Sequence, residues 1–97
     1  MKLRFTPLAT ENIALIADYI RERNPAAALR VRASIYESLQ LLILFPFLGR
    51  QQKERGVRKF VTPRFGYLVY YTINEAEEEI VILSVKHSAQ RPEHDDM

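Results

Sequence analysis

The chain reads as an α+β domain with the element order β-α-α-β-β-β, a helical hairpin packed on a small antiparallel sheet meander. Three observations predict this. Thr6-Pro7 and Asn24-Pro25 each set a capping side chain directly before a proline, the usual opening of a helix. The second half carries three runs rich in β-branched and aromatic residues, divided by short turn-forming segments. The last run, Ile80-Val81-Ile82-Leu83, is apolar on both sides of the pleat, which suits a central strand buried on both faces.

Lys2-Leu3-Arg4-Phe5 alternates polar and apolar residues, as a short half-buried strand does. The first helix is expected from residue 8 to about 23, where Ala9, Ile13, Ile16 and Ile20 share one face. Leu15 and Tyr19 form a second apolar pair displaced around that helix. We read the pair as the margin of a broad core face, the alternative being a stripe that meets a partner. The second helix runs from the Asn24-Pro25 signal to about Leu44 and is stopped by Pro46; Ala28, Val31, Ile35, Leu39 and Leu42 line its core face. From Leu41 through Phe45 it is apolar on every side, so the sheet, the following loop or another chain must cover it. Pro46-Phe47-Leu48-Gly49-Arg50 is then a turn and 51–56 a polar loop. Strands are expected at 57–61, 67–73 and 79–85, the last two joined by an acidic turn around Asn74-Glu75-Ala76. Strands that follow one another across short turns pair antiparallel. Within the middle strand Tyr67 and Tyr71 share a face and Tyr70 takes the other.

The 97 residues suffice for one core. The domain is expected to span residues 1–92, leaving 93–97 as a short acidic, disordered tail. No cysteine is present, which excludes disulfides, zinc–thiolate sites and a cysteine nucleophile. The most apolar stretch, residues 39–45, is far shorter than the ~20 residues that cross a bilayer, and no signal peptide is evident, so a soluble cytoplasmic protein with no membrane contact is expected. The net charge of +2 is too small to argue for nucleic-acid binding, but its distribution is uneven. From Arg50 to Arg64 the bases are Arg50, Lys53, Arg55, Arg58, Lys59 and Arg64, with Glu54 the only acid; the other acids of this half gather at Glu75, Glu77, Glu78 and Glu79 and in the tail. A sheet ending in a positive rim favours a polyanion or an acidic partner. His87, just after the last strand, is read first as a hydrogen-bonded structural residue; its ordinary pKa of about 6.5 would also let it serve as an acid or base. His87, His94, Asp95 and Asp96 make a poor metal set because a tail cannot fix a geometry. No Gly-rich phosphate loop, Ser-His-Asp order or catalytic carboxylate pair occurs, and neither a metal nor a cofactor is expected.

The succession of Ala17-Asp18-Tyr19-Ile20, Pro46-Phe47-Leu48-Gly49-Arg50, Gly56-Val57-Arg58, Gly66-Tyr67-Leu68-Val69-Tyr70-Tyr71, Ile82-Leu83-Ser84-Val85-Lys86-His87 and Gln90-Arg91 resembles the RelE/ParE superfamily of type II toxin–antitoxin toxins across nearly the whole chain. The resemblance implies that superfamily's fold and one of two activities. RelE-like members are metal-independent, ribosome-dependent messenger-RNA endonucleases that use convergent lysines and arginines with a C-terminal tyrosine. In that branch an arginine follows the Gly-Tyr of the third strand. Leu68 stands there in this chain, and no tyrosine follows Tyr71, leaving Lys59, Lys86 and His87 as weak catalytic candidates. The ParE-like branch has a longer helical hairpin and the ending Val-x-His-x-x-x-Arg, matched by Val85, His87 and Arg91. This branch is the better fit. It implies a toxin that inhibits DNA gyrase and is neutralised by a cognate antitoxin, as a possible homodimer or a heterotetramer with that antitoxin. An inactive member that only binds its antitoxin is a further alternative. The expected contact residues for target or antitoxin are Arg58, Lys59, Tyr70, Lys86, His87 and Arg91, with Leu15 and Tyr19 on the hairpin. Arg58 reads equally as a solvated or acid-paired edge residue and as a docking guanidinium.

Overall fold

Two helices lie against one face of a five-stranded sheet in the computed structural model, which describes residues 1–87. The elements are β1 (Lys2–Phe5), α1 (Pro7–Arg21), α2 (Pro25–Leu44), β2 (Arg50–Gln51), β3 (Arg58–Val61), β4 (Leu68–Asn74) and β5 (Glu79–Lys86). Both cap-then-proline signals open helices as expected. The Thr6 hydroxyl accepts the Ala9 N–H at 3.0 Å and the Asn24 side chain accepts that of Ala27 at 3.2 Å, with proline at the first helical position each time.

In the sheet order β1-β5-β4-β3-β2, the last three long strands form the expected antiparallel meander. Two features extend it. β1 returns to pair parallel with β5, Leu3 beside Ile80 and Phe5 beside Ile82. Arg50 and Gln51, expected in a turn and a loop, form a two-residue strand across from Lys59 and Arg58. Gln52 holds that hairpin shut, its N–H reaching the Val57 carbonyl at 2.8 Å and its side-chain amide reaching the Arg50 carbonyl at 2.9 Å.

β5 is an interior strand, between β1 and β4, and it outruns β1. Beyond Ile82 it has no strand on that side, and a bulge at Leu83 interrupts its pairing, with Tyr70 opposite Ser84 but Tyr71 opposite Ile82. The first residues of the hairpin take over. The Thr6 hydroxyl donates to the Leu83 carbonyl at 2.8 Å, and the Asn12 side-chain oxygen accepts the Val85 N–H at 3.0 Å. These backbone groups are thus satisfied by side chains where a strand is lacking.

The core lies between helices and sheet. Ile13 of α1 and Ile35, Leu39 and Leu42 of α2 meet Phe60, Val69, Tyr71, Ile80, Ile82 and Val85, with Leu3 and Phe5 packed alongside. Each such side chain contributes about 1.5–3 kcal/mol through burial. Two expectations of coverage need correction. Leu15 and Tyr19 are not core margin; they stand 58% and 61% exposed. Leu44 and Phe45 are covered by neither sheet nor loop, at 70% and 59% exposed, because the chain leaves α2 before reaching the sheet edge.

A latch closes the turn after α2. The buried Tyr71 hydroxyl accepts the Gly49 N–H at 2.9 Å and donates to the Pro46 carbonyl at 2.7 Å. Gly49 is required by close approach, since a Cβ there would sit 2.7 Å from the Tyr71 ring and 2.9 Å from the Lys59 carbonyl. Tyr71→Phe strands these two backbone groups and is expected to cost about 1–3 kcal/mol. The melting midpoint should fall by at least about 4 °C. An unchanged midpoint would show that the hydroxyl is idle.

Candidate functional site

A groove of about 500 Å³ lies between α1 and the ends of β4 and β5. Helical spacing brings Asn12, Ile16 and Ile20 to one wall with Leu15 and Tyr19 at its lip, while Tyr67, Val85 and His87 supply the other wall. The walls differ in rigidity. Tyr67 is fixed by the Thr62 turn, where the Thr62 hydroxyl accepts its N–H at 2.9 Å and donates to the Arg64 carbonyl at 2.7 Å. The His87 ring meets Tyr67 edge-on with centroids 5.7 Å apart. At the lip the Arg23 guanidinium lies 3.8 Å above the Tyr19 ring and donates to the Tyr19 carbonyl at 2.9 Å. The groove is therefore apolar along its floor, with a cation beside an aromatic at the hairpin tip. Burial pushes the Tyr67 phenol above its ordinary pKa, so it remains a neutral group.

The opposite, open face of the sheet is built from the residues that alternate with the core. Arg50, Lys59, Tyr70 and Ser84 lie in one row across four strands, and Val61, Leu68 and Lys86 in the next. Tyr70, expected among the contact residues, has no exposed surface. Lys59 and Lys86 are half-buried and flank β4 on this face. His87 is not with them. It follows Lys86 at the strand end and lines the groove on the helix side, so the three weak catalytic candidates are split between two surfaces.

Residues 3–92 match the family model described as "ParE toxin of type II toxin-antitoxin system, parDE". The chain belongs to this family of toxins. It is also 30% identical over 90 residues to Y4kP of Sinorhizobium fredii, named as a candidate toxin, a match covering 93% of this chain and 91% of that one. Among solved structures, the chromosomal ParDE system of P. aeruginosa is similar with a TM-score of 0.78 at 24% identity, covering 90% of this chain and 95% of that one. The isolated RelE toxin of E. coli is similar at 0.65 and 18% identity, covering 95% and 87%. These two likenesses establish the fold. Among the described residues of the toxin, no helix is long and apolar enough to cross a membrane.

Arg58 is half-buried, and among the described residues it forms no salt bridge. Its guanidinium donates to the Gly49 carbonyl at 2.7 Å and the Phe47 carbonyl at 3.4 Å, and lies 4.9 Å from the Phe47 ring centre. It thus fastens the same turn as Tyr71. Sequence reasoning missed this tie, although the close approach that requires a glycine at Gly49 left a trace in the Leu-Gly-Arg turn. Nor did it single out Asn12, whose amide is part of the groove wall and completes β5; a lone polar residue on an apolar helix face is the signal that pointed to it. Arg91 and His94 lie outside the described residues.

Two measurements follow. Arg58→Ala removes charge-assisted bonds and a ring contact from a half-buried site, with an expected loss of about 1–2 kcal/mol in stability read by urea unfolding. An unchanged midpoint would return Arg58 to the status of a surface group. Burial also raises the Tyr71 phenol, outweighing the lowering effects of its Gly49 hydrogen bond and of Arg58. With Tyr67 and Tyr71 both raised above 10.0, the folded state keeps protons that the unfolded chain releases. Stability is then full below pH ~10 and falls as pH rises through the folded-state values. Absorbance of the two tyrosinates should appear together with unfolding; their ionisation in a folded domain near the ordinary pKa would contradict this.

Proposed function

We propose that this toxin acts by binding DNA gyrase, and that its cognate antitoxin silences it by seating an apolar segment in the α1 groove. The observation that carries the reading is the composition of the open sheet face. Leu68, an alkyl side chain, sits in register between Val61 and Lys86, where RNA cleavage calls for a cation at the centre of the face. His87 is in the groove instead of beside Lys59 and Lys86. A face arranged this way suits docking better than stabilising a pentavalent phosphorane. The RelE-like endonuclease reading is correspondingly the weaker one.

The groove favours an amphipathic helix as its occupant. Its floor offers Ile16, Ile20, Tyr67 and Val85 to apolar anchors, with Tyr19 and its stacked Arg23 at the lip. Solved relatives include the intact RelBE toxin–antitoxin complex of E. coli, which supports a protein partner of this kind for the toxin described here.

The deciding experiment compares plasmid supercoiling by purified gyrase with messenger cleavage on translating ribosomes, each with added toxin. Loss of supercoiling with intact messenger is expected; specific messenger cuts and unaffected supercoiling would reverse the assignment. Leu15→Asp, at the exposed lip, should weaken antitoxin binding by roughly tenfold or more while leaving the melting midpoint unchanged. Full antitoxin affinity in that variant would remove the groove from the interface.

A further inference from the structure

A second apolar surface lies away from the groove. At the end of α2 the chain turns on itself, the Leu48 N–H bonding the Phe45 carbonyl at 3.0 Å, and this turn presents Leu44, Phe45, Phe47 and Leu48 at 70%, 59%, 62% and 49% exposed. Four large apolar side chains so close together form a knuckle that water alone is unlike to face in a monomer this small. The knuckle is also stiff. Tyr71 clamps its backbone at Pro46 and Gly49, and Arg58 grips the carbonyls of Phe47 and Gly49. A rigid, pre-formed turn loses little entropy when a partner covers it, which is the property of a docking surface.

The surrounding charge selects the partner. Arg58 lies against Phe47, Arg50 follows the turn directly, and Lys53 and Arg55 stand on the adjoining hairpin loop; no acid occurs between Glu37 and Glu54. A second copy of the chain is a poor occupant, because an isologous contact would set Arg50 and Arg58 against their own counterparts. A complementary surface is a protein socket with an apolar floor and a rim of carboxylates. Position argues that this is not the antitoxin segment seated in the groove. The groove lip reaches Tyr19 and Ile20 at the hairpin tip, whereas the knuckle ends a 20-residue helix leading away from that tip. Such a helix is ~30 Å long.

We infer that the Leu44–Leu48 knuckle, with Arg58 against Phe47 and Arg50 directly after the turn, is the surface by which the toxin engages its target, and that the target offers an apolar socket flanked by carboxylates. The inference rests on the toxin reading above but not on which target is correct.

The test uses the full chain carrying Phe47→Asp, Arg50→Glu or, as a control at an isolated exposed position, Leu29→Glu. Three readouts are taken: growth arrest on induction, affinity for the purified antitoxin, and inhibition of purified gyrase. Circular dichroism melting confirms that each variant is folded. Phe47→Asp and Arg50→Glu should each raise the toxin dose needed for arrest by roughly tenfold or more, as loss of an interface anchor does. Antitoxin affinity should stay within about twofold, and Leu29→Glu should match the parent; Arg50→Glu carries the argument should Phe47→Asp not fold. Undiminished arrest in both knuckle variants would overturn the inference. So would a tenfold loss of antitoxin affinity, which would assign the knuckle to the antitoxin, or a concentration-dependent dimer broken by Phe47→Asp, which would assign it to a second copy. If the parent arrests growth without inhibiting gyrase, the gyrase reading fails while the arrest assay still decides the knuckle.

Discussion

The structure depends on how β5 is completed. This strand lies inside the sheet between β1 and β4 and carries much of the core, yet its only parallel neighbour ends at Phe5, opposite Ile82. Everything beyond that point would expose strand backbone to a helix that cannot pair with it. Two side chains at the start of the hairpin resolve the conflict. Thr6 both caps α1 and binds the Leu83 carbonyl freed by the bulge, and Asn12 receives the Val85 N–H one helical turn and a half further on. Because α1 is bonded to β5 at two heights, its angle to the sheet is fixed. The groove exists between those same two elements, so its width follows from these bonds.

The sequence was legible wherever one rule governed a position. The Thr-Pro and Asn-Pro openings gave both helix starts, because capping and proline preferences act locally. Unbroken apolarity at Ile80, Val81 and Ile82 identified a strand buried on both sides of the pleat, and it is an interior strand, with β4 at the centre. Long-range roles were not legible. The parallel return of β1 and the short β2 arise from tertiary pairing with little local signature. Leu15 and Tyr19 fit a core margin by periodicity, and only the observed angle of α1 shows that the sheet stops short of them. Arg58 was recognised as important, but whether it faced solvent or the turn depended on where the Gly49 carbonyl would lie.

Strand alternation also explains how one short segment serves two surfaces. Lys86 and His87 are adjacent in sequence, yet one belongs to the open face and the other to the helix-side groove. A cluster of chemically capable residues in sequence is therefore not a cluster in space. In this toxin the distinction separates His87 from Lys59 and Lys86. It leaves a sheet face of mixed lysine and alkyl character and a groove of aromatic and aliphatic character.

The pairing of β1 with β5 has a consequence for biosynthesis. Lys2 finds its partner at Glu79, so of the five strands described the first waits for the last. Contacts of such sequence separation form late, after the loop between them is closed. The helical hairpin and the β3–β4 hairpin can form as soon as they emerge, but the groove, with walls at Tyr67, Val85 and His87, is assembled only when the end of β5 is free. The groove is then absent until β5 joins the sheet, and the surface matures in a late step of folding.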